Sequence, residues 1–365
     1  MMTRPYASSV TVQTLEVLTE TNNKNTKKFI STCKESEEKQ NDIRKKFEFD
    51  YSKYYFGSQL RWSNITFLII LHILAIHGLL NYEYLKSKHH VYLVLWSYWT
   101  GFMGGVGVTA GAHRLWCHRA YKAKLPLRIF LMGLYCMAGQ NTLYEWVRDH
   151  RIHHKFSETN ADPHNSKRGF FFSHIGWLMI KKHPEVIEKG RQLDLSDLEA
   201  DPVVRFQQRY FTVLKLMLCF VLPILVPLYF WNVSWYWAVS SQAFVRYTIS
   251  LHATFLVNSA AHMWGNRPYD KRIRPVENLT VAIWSAGEGW HNYHHTFPWD
   301  YRASEMGKYN PTTFVLDIFA KLGLAYDMKA PSQTLVKQIA DKHGDGSWGD
   351  QEISEKDAAA LLKQT

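Results

Sequence analysis

The chain has 365 residues, of which 46% are hydrophobic and 15% aromatic, and its formal net charge is +11. A basic balance suits nucleic acid, anionic lipid headgroups or a polyphosphate ligand, but no zinc-finger spacing, RNP-type segment or long arginine tract favours nucleic acid. The four cysteines (Cys33, Cys117, Cys136 and Cys219) form no CxxC pair, which argues against a disulfide scaffold and indicates a reducing compartment.

Residues 1–50 are polar and carry mixed charge, in stretches such as TETNNKNTKK and CKESEEKQNDIRKK. This composition predicts a disordered leader. No apolar core of a signal peptide occurs in it, so we expect no cleavable signal.

Four apolar segments follow the leader, at about 64–82, 91–112, 211–231 and 235–261. A membrane-spanning helix needs roughly 20 apolar residues, and the second and third segments meet this requirement alone. Taken singly, the first and fourth also fit buried core helices. Because the first and second segments, and the third and fourth, are joined by short links, the sequence predicts two membrane hairpins.

The distribution of positive charge orients these hairpins. Lysine and arginine are concentrated in the leader, in residues 113–210 and in the tail after residue 265. The positive-inside rule therefore places both termini and the middle stretch in the cytosol. A further apolar segment, 125–139, is too short to span a membrane and is interrupted by Arg128. It predicts an arm at the membrane surface or within the cytosolic cap.

Histidines are clustered at the predicted cytosolic ends of the spans. The i, i+3, i+4 spacing in HRIHH and HNYHH is expected to point three rings in one direction on a helix. Neutral imidazoles gathered in this way suit a transition metal. The candidates are His113, His118, His150, His153, His154, His262, His291, His294 and His295.

Nine imidazoles exceed the three or four ligands of one zinc site, so they predict two metals with four or five nitrogens each. Asn258, one helical turn before His262, either completes a coordination shell, directly or through water, or makes a helix–helix hydrogen bond. Two irons would suggest oxidation of an unactivated C–H bond, whereas two zincs would suggest hydrolysis. Acidic neighbours at Glu145, Asp149 and Glu288 keep hydrolysis open.

The clusters and their flanks resemble the three histidine boxes of membrane acyl-CoA desaturases of the animal stearoyl-CoA desaturase type, particularly the insect members. The segments AGAHRLWCHRAYKAKLPLR, YEWVRDHRIHHKFSETNADPHN and GEGWHNYHHTFPWDYRASE carry this resemblance. It extends from about Phe49 to Gly349, so we expect a desaturase domain at 51–350 and a separate tail at 351–365. The implied fold is an all-α integral membrane protein, with four transmembrane helices in two hairpins under a helical cytosolic cap (113–210 and 262–350) that holds the di-metal site.

The resemblance also implies the chemistry. It places the chain in the endoplasmic reticulum membrane as a multi-pass protein with both termini cytosolic. Two iron ions (Fe2+), dioxygen, cytochrome b5 and the NADH-dependent reductase of cytochrome b5 would convert a saturated fatty acyl-CoA to a cis-unsaturated one. The nine histidines and Asn258 fall on the family's metal positions, and no catalytic residue is implied beyond the metal centre. The stretch IRPVEN at 273–278 favours desaturation at carbons 9–10 over 11–12.

The same resemblance implies an acyl-CoA site. The bend of the acyl tunnel falls at Gln140, Trp146 and Thr254. Contacts to the coenzyme A head map onto Asn64, Asn141, Arg148, Asp149, Lys181 and Lys182, although the two lysines also read as solvated charges.

Three positions shape the expected specificity. Phe255 stands where the family usually has tryptophan, which removes a possible N–H donor to the acyl-CoA. Gly101 and Gly105 fall at the far end of the tunnel, where Gly101 replaces a bulky residue. Acyl chains longer than sixteen or eighteen carbons are therefore expected to fit.

Two other functions stay open on the sequence. A membrane di-iron lipid hydroxylase would use the same metals and form an alcohol. A metal transporter would place polar residues along the inside of its spans, whereas the clusters lie at the cytosolic ends. His72, His77 and His252 do lie within spans, but singly, and we expect them to be hydrogen-bonded packing residues.

Overall fold

The computed structural model describes residues 60–81 and 88–349. The predicted leader (1–50), most of the link between the first two apolar segments and the predicted tail (351–365) lie outside the described residues. From Arg61 onward the described chain belongs to one compact unit. Nearly all regular structure in that unit is helical.

The α-helices of the described residues are numbered in chain order. They are α1 Trp62–Asn81, α2 Lys88–Val106, α3 Leu125–Ala138, α4 Leu143–Phe156, α5 Phe170–His174, α6 Pro184–Arg191, α7 Ser196–Ala200, α8 Pro202–Lys215, α9 Leu222–Trp231, α10 Trp235–Val239, α11 Tyr247–Asn258, α12 Leu279–Trp284, α13 His291–Thr296, α14 Pro311–Lys321 and α15 Gln333–His343. Three π-helical segments continue or join them, at Gly107–Cys117, Leu216–Val221 and Ser240–Arg246. Short 3₁₀ turns occur at Ser166–Arg168, Gly176–Leu178 and Ala260–His262.

A small sheet departs from the expected all-α class. Strand β1, Lys122–Ala123, pairs antiparallel with strand β2, Ala325–Tyr326, with Ala123 opposite Ala325. The pairing ties the chain just after the first histidine cluster to the chain just after α14. Each strand has two residues, which no hydrophobic period can signal in a sequence.

Three helices in the described part of the chain are long and apolar enough to cross a membrane by length and composition. They are Trp62–Asn81, His89–Cys117 and Pro202–Trp231. Their outward faces carry large apolar side chains, such as Leu80 at 80% exposure and Tyr229 at 84%. Lipid is the solvent that such faces require, because they would be costly in water.

The π-helical segments are joined by a buried arginine. Arg246 is 3% exposed, and it has no carboxylate partner among residues 61–81 and 88–349. Its guanidinium instead donates to the carbonyls of Gln242 (3.1 Å), Met137 (3.4 Å) and Cys219. Gln242 and Cys219 lie in two different π segments, where the usual i→i−4 pattern is interrupted. Arg246 therefore satisfies carbonyls that would otherwise be unpaired in an apolar layer.

The apolar segment 125–139 forms α3, a helix with one buried face. Leu127, Leu131 and Tyr135 are almost fully buried, whereas Ile129 and Phe130 are about half exposed. This helix packs against α2 and the π segment that follows it. It is therefore part of the packing that holds the first histidine cluster.

The single histidines of the apolar segments are hydrogen-bonded, as predicted. His72 Nε2 lies 2.8 Å from His252 Nε2, and His252 Nδ1 lies 2.8 Å from His174 Nε2. His77 Nδ1 lies 3.2 Å from the hydroxyl of Tyr236. These contacts connect neighbouring helices.

Gly107 gives a test of this packing. A Cβ at this position would lie 2.2 Å from the backbone of Leu134 and Tyr135 in α3. Since backbone atoms cannot rotate away, we expect Gly107→Ala to lower stability by at least about 1–3 kcal/mol, the usual range for overpacking.

Thermal unfolding of the detergent-solubilised protein measures this effect. Gly105→Ala is the matched control, because a Cβ there meets no atom within 4 Å. Equal melting temperatures for the two variants would contradict the close helix approach.

Candidate metal centre

The first histidine cluster lies on a π-helical turn. His118 N donates to His113 O at 3.1 Å, which is the i→i+5 bond of a π-helix. This turn brings the two ring centroids to 4.8 Å from each other. A spacing of five residues, which would diverge on an α-helix, therefore converges here.

The second and third clusters lie on α-helices that are fixed at their ends. Thr142 caps α4, because its Oγ1 accepts from Glu145 N at 3.2 Å. The six-residue helix α13 is too short to be stable alone. It is fixed to the preceding loop, where Glu277 Oε1 accepts from Tyr293 N at 2.9 Å and Pro275 O accepts from Asn292 at 3.0 Å.

The nine predicted histidines meet in two groups whose ligand atoms lie within 4.8 Å of one another. The first group is His113, His118, His150, His154 and His294, and the second is His153, His262, His291 and His295. The split corrects the expectation that each HxxHH cluster points in one direction. Positions i and i+4 enter one group and position i+3 enters the other. Three residues turn a helix by about 60° less than one full turn, whereas four residues turn it slightly more than one full turn. The side chains at i+3 and i+4 therefore lie on opposite sides of the side chain at i. Each cluster therefore contributes to both groups.

The nitrogen spacing fits metal ions. Ligands at right angles around a metal, with bonds of about 2.1 Å, are about 3 Å apart. Neighbouring Nε2 atoms have this separation: 3.0 Å for His113–His294, 3.2 Å for His118–His150, 3.1 Å for His150–His154, 3.0 Å for His154–His294, 3.1 Å for His262–His291 and 3.1 Å for His291–His295.

Three buried carboxylates fix the orientation and the tautomer of their histidines. A carboxylate can only accept, so the proton of each partner ring lies on Nδ1 and the Nε2 lone pair faces its group. The pairs are His113 with Glu288 (2.8 Å), His153 with Asp162 (2.9 Å) and His262 with Glu158 (2.9 Å). Wherever neither of two ring nitrogens near 3 Å apart carries a proton, a cation between them offsets the repulsion of the lone pairs, so this spacing indicates that the groups bind metals.

Electrostatics keep the rings in the metal-binding form. Burial, reinforced by neighbouring imidazoles, lowers the pKa of most histidines in the two groups, which favours the neutral form that a metal would require. This shift applies to His118, His150, His154, His291, His294 and His295. His153 differs, because Asp162 outweighs burial and raises its pKa.

The supporting carboxylates stay ionised in spite of their burial. Burial opposes the charge of Glu288, but Arg114 and His113 hold its pKa at about 2. Arg114 donates to the same carboxylate at 2.6 Å. Burial likewise opposes ionisation of Asp162, whose pKa the neighbouring His153 holds at about 2.

The acidic neighbours that kept hydrolysis open are committed to other partners. Glu145 accepts from the Thr142 hydroxyl at the start of α4. Asp149 pairs with Arg148 (3.0 Å) and with Lys182. Glu288 is bound by Arg114 and His113. Each of the three carboxylates therefore has a hydrogen-bond or ion-pair partner within the described residues.

Sequence reasoning missed Glu158 and Asp162. Both lie in the loop SETNADP, which directly follows the second cluster. The loop is closed on itself: Ser166 Oγ and Lys167 N donate to Glu158 at 2.9 and 3.2 Å, and Glu158 N donates to Asp162 at 2.9 Å. Two carboxylates four residues apart after HRIHH were a usable signal, because metal-binding histidines commonly donate to a carboxylate.

Two cavities meet at the histidine groups. The larger, about 580 Å³, is lined by Gly101, Gly105, Gln140, Trp146, Thr254 and Asn258, together with His113, His150 and His291. The smaller, about 250 Å³, is lined by Asn64, Asn141, Asp149 and Phe255, and it shares Gln140, Trp146, Thr254, His150 and Asn258 with the larger.

A chain of hydrogen bonds stands where the cavities meet. Trp146 Nε1 donates to Gln140 Oε1 at 2.8 Å, and Gln140 Nε2 donates to Thr254 Oγ1 at 2.9 Å. The three residues predicted at the bend are therefore joined. Arg148 and Lys182 form ion pairs with Asp149, which lines the smaller cavity. Lys181 is exposed and lines neither cavity.

Comparisons with known proteins agree with this arrangement. Residues 87–327 match the family model described as "Fatty acid desaturase". The chain is 50% identical over 307 residues to the acyl-CoA Delta-9 desaturase of Acheta domesticus, covering 82% of this chain and 84% of the relative. It is 52% identical over 304 residues to the acyl-CoA Delta12-desaturase of Acheta domesticus (81% and 84%), and 54% identical over 288 residues to the stearoyl-CoA desaturase of Homo sapiens (79% of each).

The carboxylate partners can be tested through metal retention. Glu158→Gln keeps the side-chain shape but removes the charge that holds the Nδ1 proton of His262. Loss of such a partner lowers metal affinity about 10–100-fold. In graded chelator dialysis, we expect the metal content per chain to fall at lower chelator concentration than in the wild type.

Asp317→Asn serves as the control, because Asp317 accepts from Tyr301, a residue in neither histidine group, at 3.0 Å. Identical retention in wild type and Glu158→Gln would show that this carboxylate does not support the second group.

Proposed function

Because this chain belongs to the fatty acid desaturase family, we propose that it inserts a cis double bond into a saturated fatty acyl-CoA, at carbons 9–10, with dioxygen as oxidant. One acyl-CoA, one dioxygen, two electrons and two protons then give one unsaturated acyl-CoA and two waters. The observation that carries the proposal is the position of the histidine groups: His113, His150 and His291 form part of the wall of a largely apolar cavity.

The resident metals of the proposal are two iron ions. The first would be held by His113, His118, His150, His154 and His294, and the second by His153, His262, His291 and His295. Asn258 lines both cavities next to the second group and would complete its shell, directly or through a water. When bound, the irons supply the redox chemistry that removes two hydrogens from an unactivated hydrocarbon.

The chain's own residues position the substrate. The methylenes that react carry no polar group that the protein could bind. The position of reaction is therefore set by the shape of the cavity and by binding of the coenzyme A end of the substrate. The hydrogen-bonded row Trp146–Gln140–Thr254 lines both cavities. We propose that the acyl chain bends here, which selects the conformer that gives a cis product.

The smaller cavity would hold the thioester end. Asn64 and Asn141 lie in its wall, and Asn64 is oriented because its Nδ2 donates to Leu178 O at 2.8 Å. The buried Asp149 also lines this cavity and is paired with Arg148 and Lys182. Together with the exposed Lys181, these cations would bind the phosphates of coenzyme A. Phe255 contributes an apolar wall only.

The membrane arrangement follows the same proposal. A helical stretch from Trp235 to Asn258 would form a fourth span, joined to the third by Asn232–Ser234 as a hairpin. Both termini and the histidine groups would face the cytosol from the endoplasmic reticulum membrane, as the positive-inside rule requires. Electrons would come from cytochrome b5 and its NADH-dependent reductase.

Expression in a desaturase-deficient yeast tests the function. We expect growth without added unsaturated fatty acid, and lipids with cis double bonds at carbons 9–10 by double-bond mapping. His294→Ala removes a ligand of the first group and is expected to abolish the product.

His77→Ala is the matched control, since His77 contacts Tyr236 and belongs to neither group. An alcohol in place of an alkene would identify a hydroxylase. Undiminished product from His294→Ala would refute the metal assignment.

Chain-length preference gives a second test. Gly101 lines the larger cavity, which continues past it to Val94, Ser97 and Tyr98, one to two turns earlier on α2. We expect the wild type to accept acyl chains longer than eighteen carbons. Gly101→Tyr should fill this space and shift the preference toward shorter chains by at least about tenfold in kcat/KM, since each buried CH₂ contributes about 0.8 kcal/mol. An unchanged product profile would show that the cavity does not end at this position.

A further inference from the structure

The larger cavity contains two serine hydroxyls without partners. Ser240 and Ser250 both line it, and neither hydroxyl makes a hydrogen bond within residues 61–81 and 88–349. Ser240 is only 6% exposed. An unpaired hydroxyl in such a wall becomes costly once an acyl chain displaces water from the cavity, because it then loses water without gaining another partner.

Neighbouring hydroxyls show the usual alternative. Serine and threonine in membrane helices normally bond to a carbonyl one turn earlier. Ser97 donates to Leu93 O at 2.8 Å and accepts from Gln242 at 2.6 Å. Thr100 donates to Trp96 O at 2.8 Å. Ser240 and Ser250 depart from this pattern on the cavity side.

Glycine at position 101 leaves Ser250 uncovered. A Cβ at residue 101 would lie 3.2 Å from Ser250 Oγ, so a larger side chain would lie over the hydroxyl. The pair Gly101 and Ser250 therefore opens a polar spot in a wall that is otherwise mostly apolar. Ser250 lies one helical turn before Thr254, about 6 Å along α11.

We propose that this spot is a subsite for an oxygen substituent on the substrate, so that the enzyme accepts acyl chains that carry a hydroxyl in their methyl-side half. The inference rests on the proposed function, because it takes the bend at Thr254 as the position of the reacting carbons. An oxygen a few carbons beyond the bend would then meet Ser250, and one further out would meet Ser240. A saturated chain leaves both hydroxyls unpaired.

A positional series of monohydroxystearoyl-CoA probes tests the proposal. The full-length, metal-loaded enzyme in nanodiscs is assayed with stearoyl-CoA and with chains whose hydroxyl is moved one carbon at a time along the methyl-side half. We expect one position, a few carbons beyond the new double bond, to be used about as well as stearoyl-CoA. Hydroxyls on either side of it should be strongly disfavoured, because they are buried without a partner, except for those placed far enough out to meet Ser240.

Ser250→Ala should lower kcat/KM at the favoured position by about three- to tenfold relative to stearoyl-CoA, as loss of one neutral hydrogen bond predicts. Ser97→Ala is the matched control: Ser97 lines the same cavity, but its hydroxyl is already bonded, so the ratio between the two probes should not change. Ser240→Ala should affect only hydroxyls placed further out.

Dissociation constants from calorimetry give the same ratios without turnover, so failure of the subsite can be distinguished from failure of the proposed reaction. Uniform rejection of all hydroxylated chains, in both assays, would overturn the proposal. So would an equal ratio in wild type and Ser250→Ala. Desaturation of stearoyl-CoA with either result would leave the proposed function intact.

Discussion

The structure depends on holding nitrogen lone pairs close together without a covalent link. In the absence of a cation, imidazole nitrogens about 3 Å apart repel wherever neither carries a proton. Ionised carboxylates accept from Nδ1 of three of these rings and so keep the proton on that nitrogen. The carboxylates stay charged only because arginine or histidine partners offset the cost of their burial. Glu288 shows the whole arrangement: it is buried, it is bound by Arg114, and it orients His113. The cap is therefore folded around positions that two metal ions are suited to fill.

Much of this arrangement could be predicted from the sequence. The histidines of the two groups were identifiable because three clusters fell at the same predicted membrane surface. Three of the four predicted apolar segments correspond to helices that are long and apolar enough to cross a membrane. Their bounds shifted by a few residues: α2 continues through Cys117, because the π-helical turn carries the helix directly into the first cluster.

The remaining features are not encoded in residue spacing. Helical spacing separates i+3 from i and i+4 within each HxxHH cluster, but which histidines of the two clusters meet depends on the angle between α4 and α13, which no local pattern specifies. The π-helical turn at His113 has no propensity signature that separates it from an α-helix. Glu158 accepts a hydrogen bond from His262, which lies about one hundred residues later in the sequence, so its role appears only once the chain is folded. Regiochemistry is a similar case, since relatives with different double-bond positions are nearly equally similar to this chain.

The buried guanidinium of Arg246 has a consequence for biogenesis. Its acceptors lie on different parts of the chain, at Met137 in α3 and Cys219 in the π segment before α9, and only Gln242 is on its own helix. A translocon that releases helices into lipid one at a time would expose an uncompensated positive charge to hydrocarbon. In the proposed arrangement, Pro202–Trp231 and residues 235–258 would therefore have to enter the bilayer together, with α3 already in place so that Met137 O can accept from Arg246.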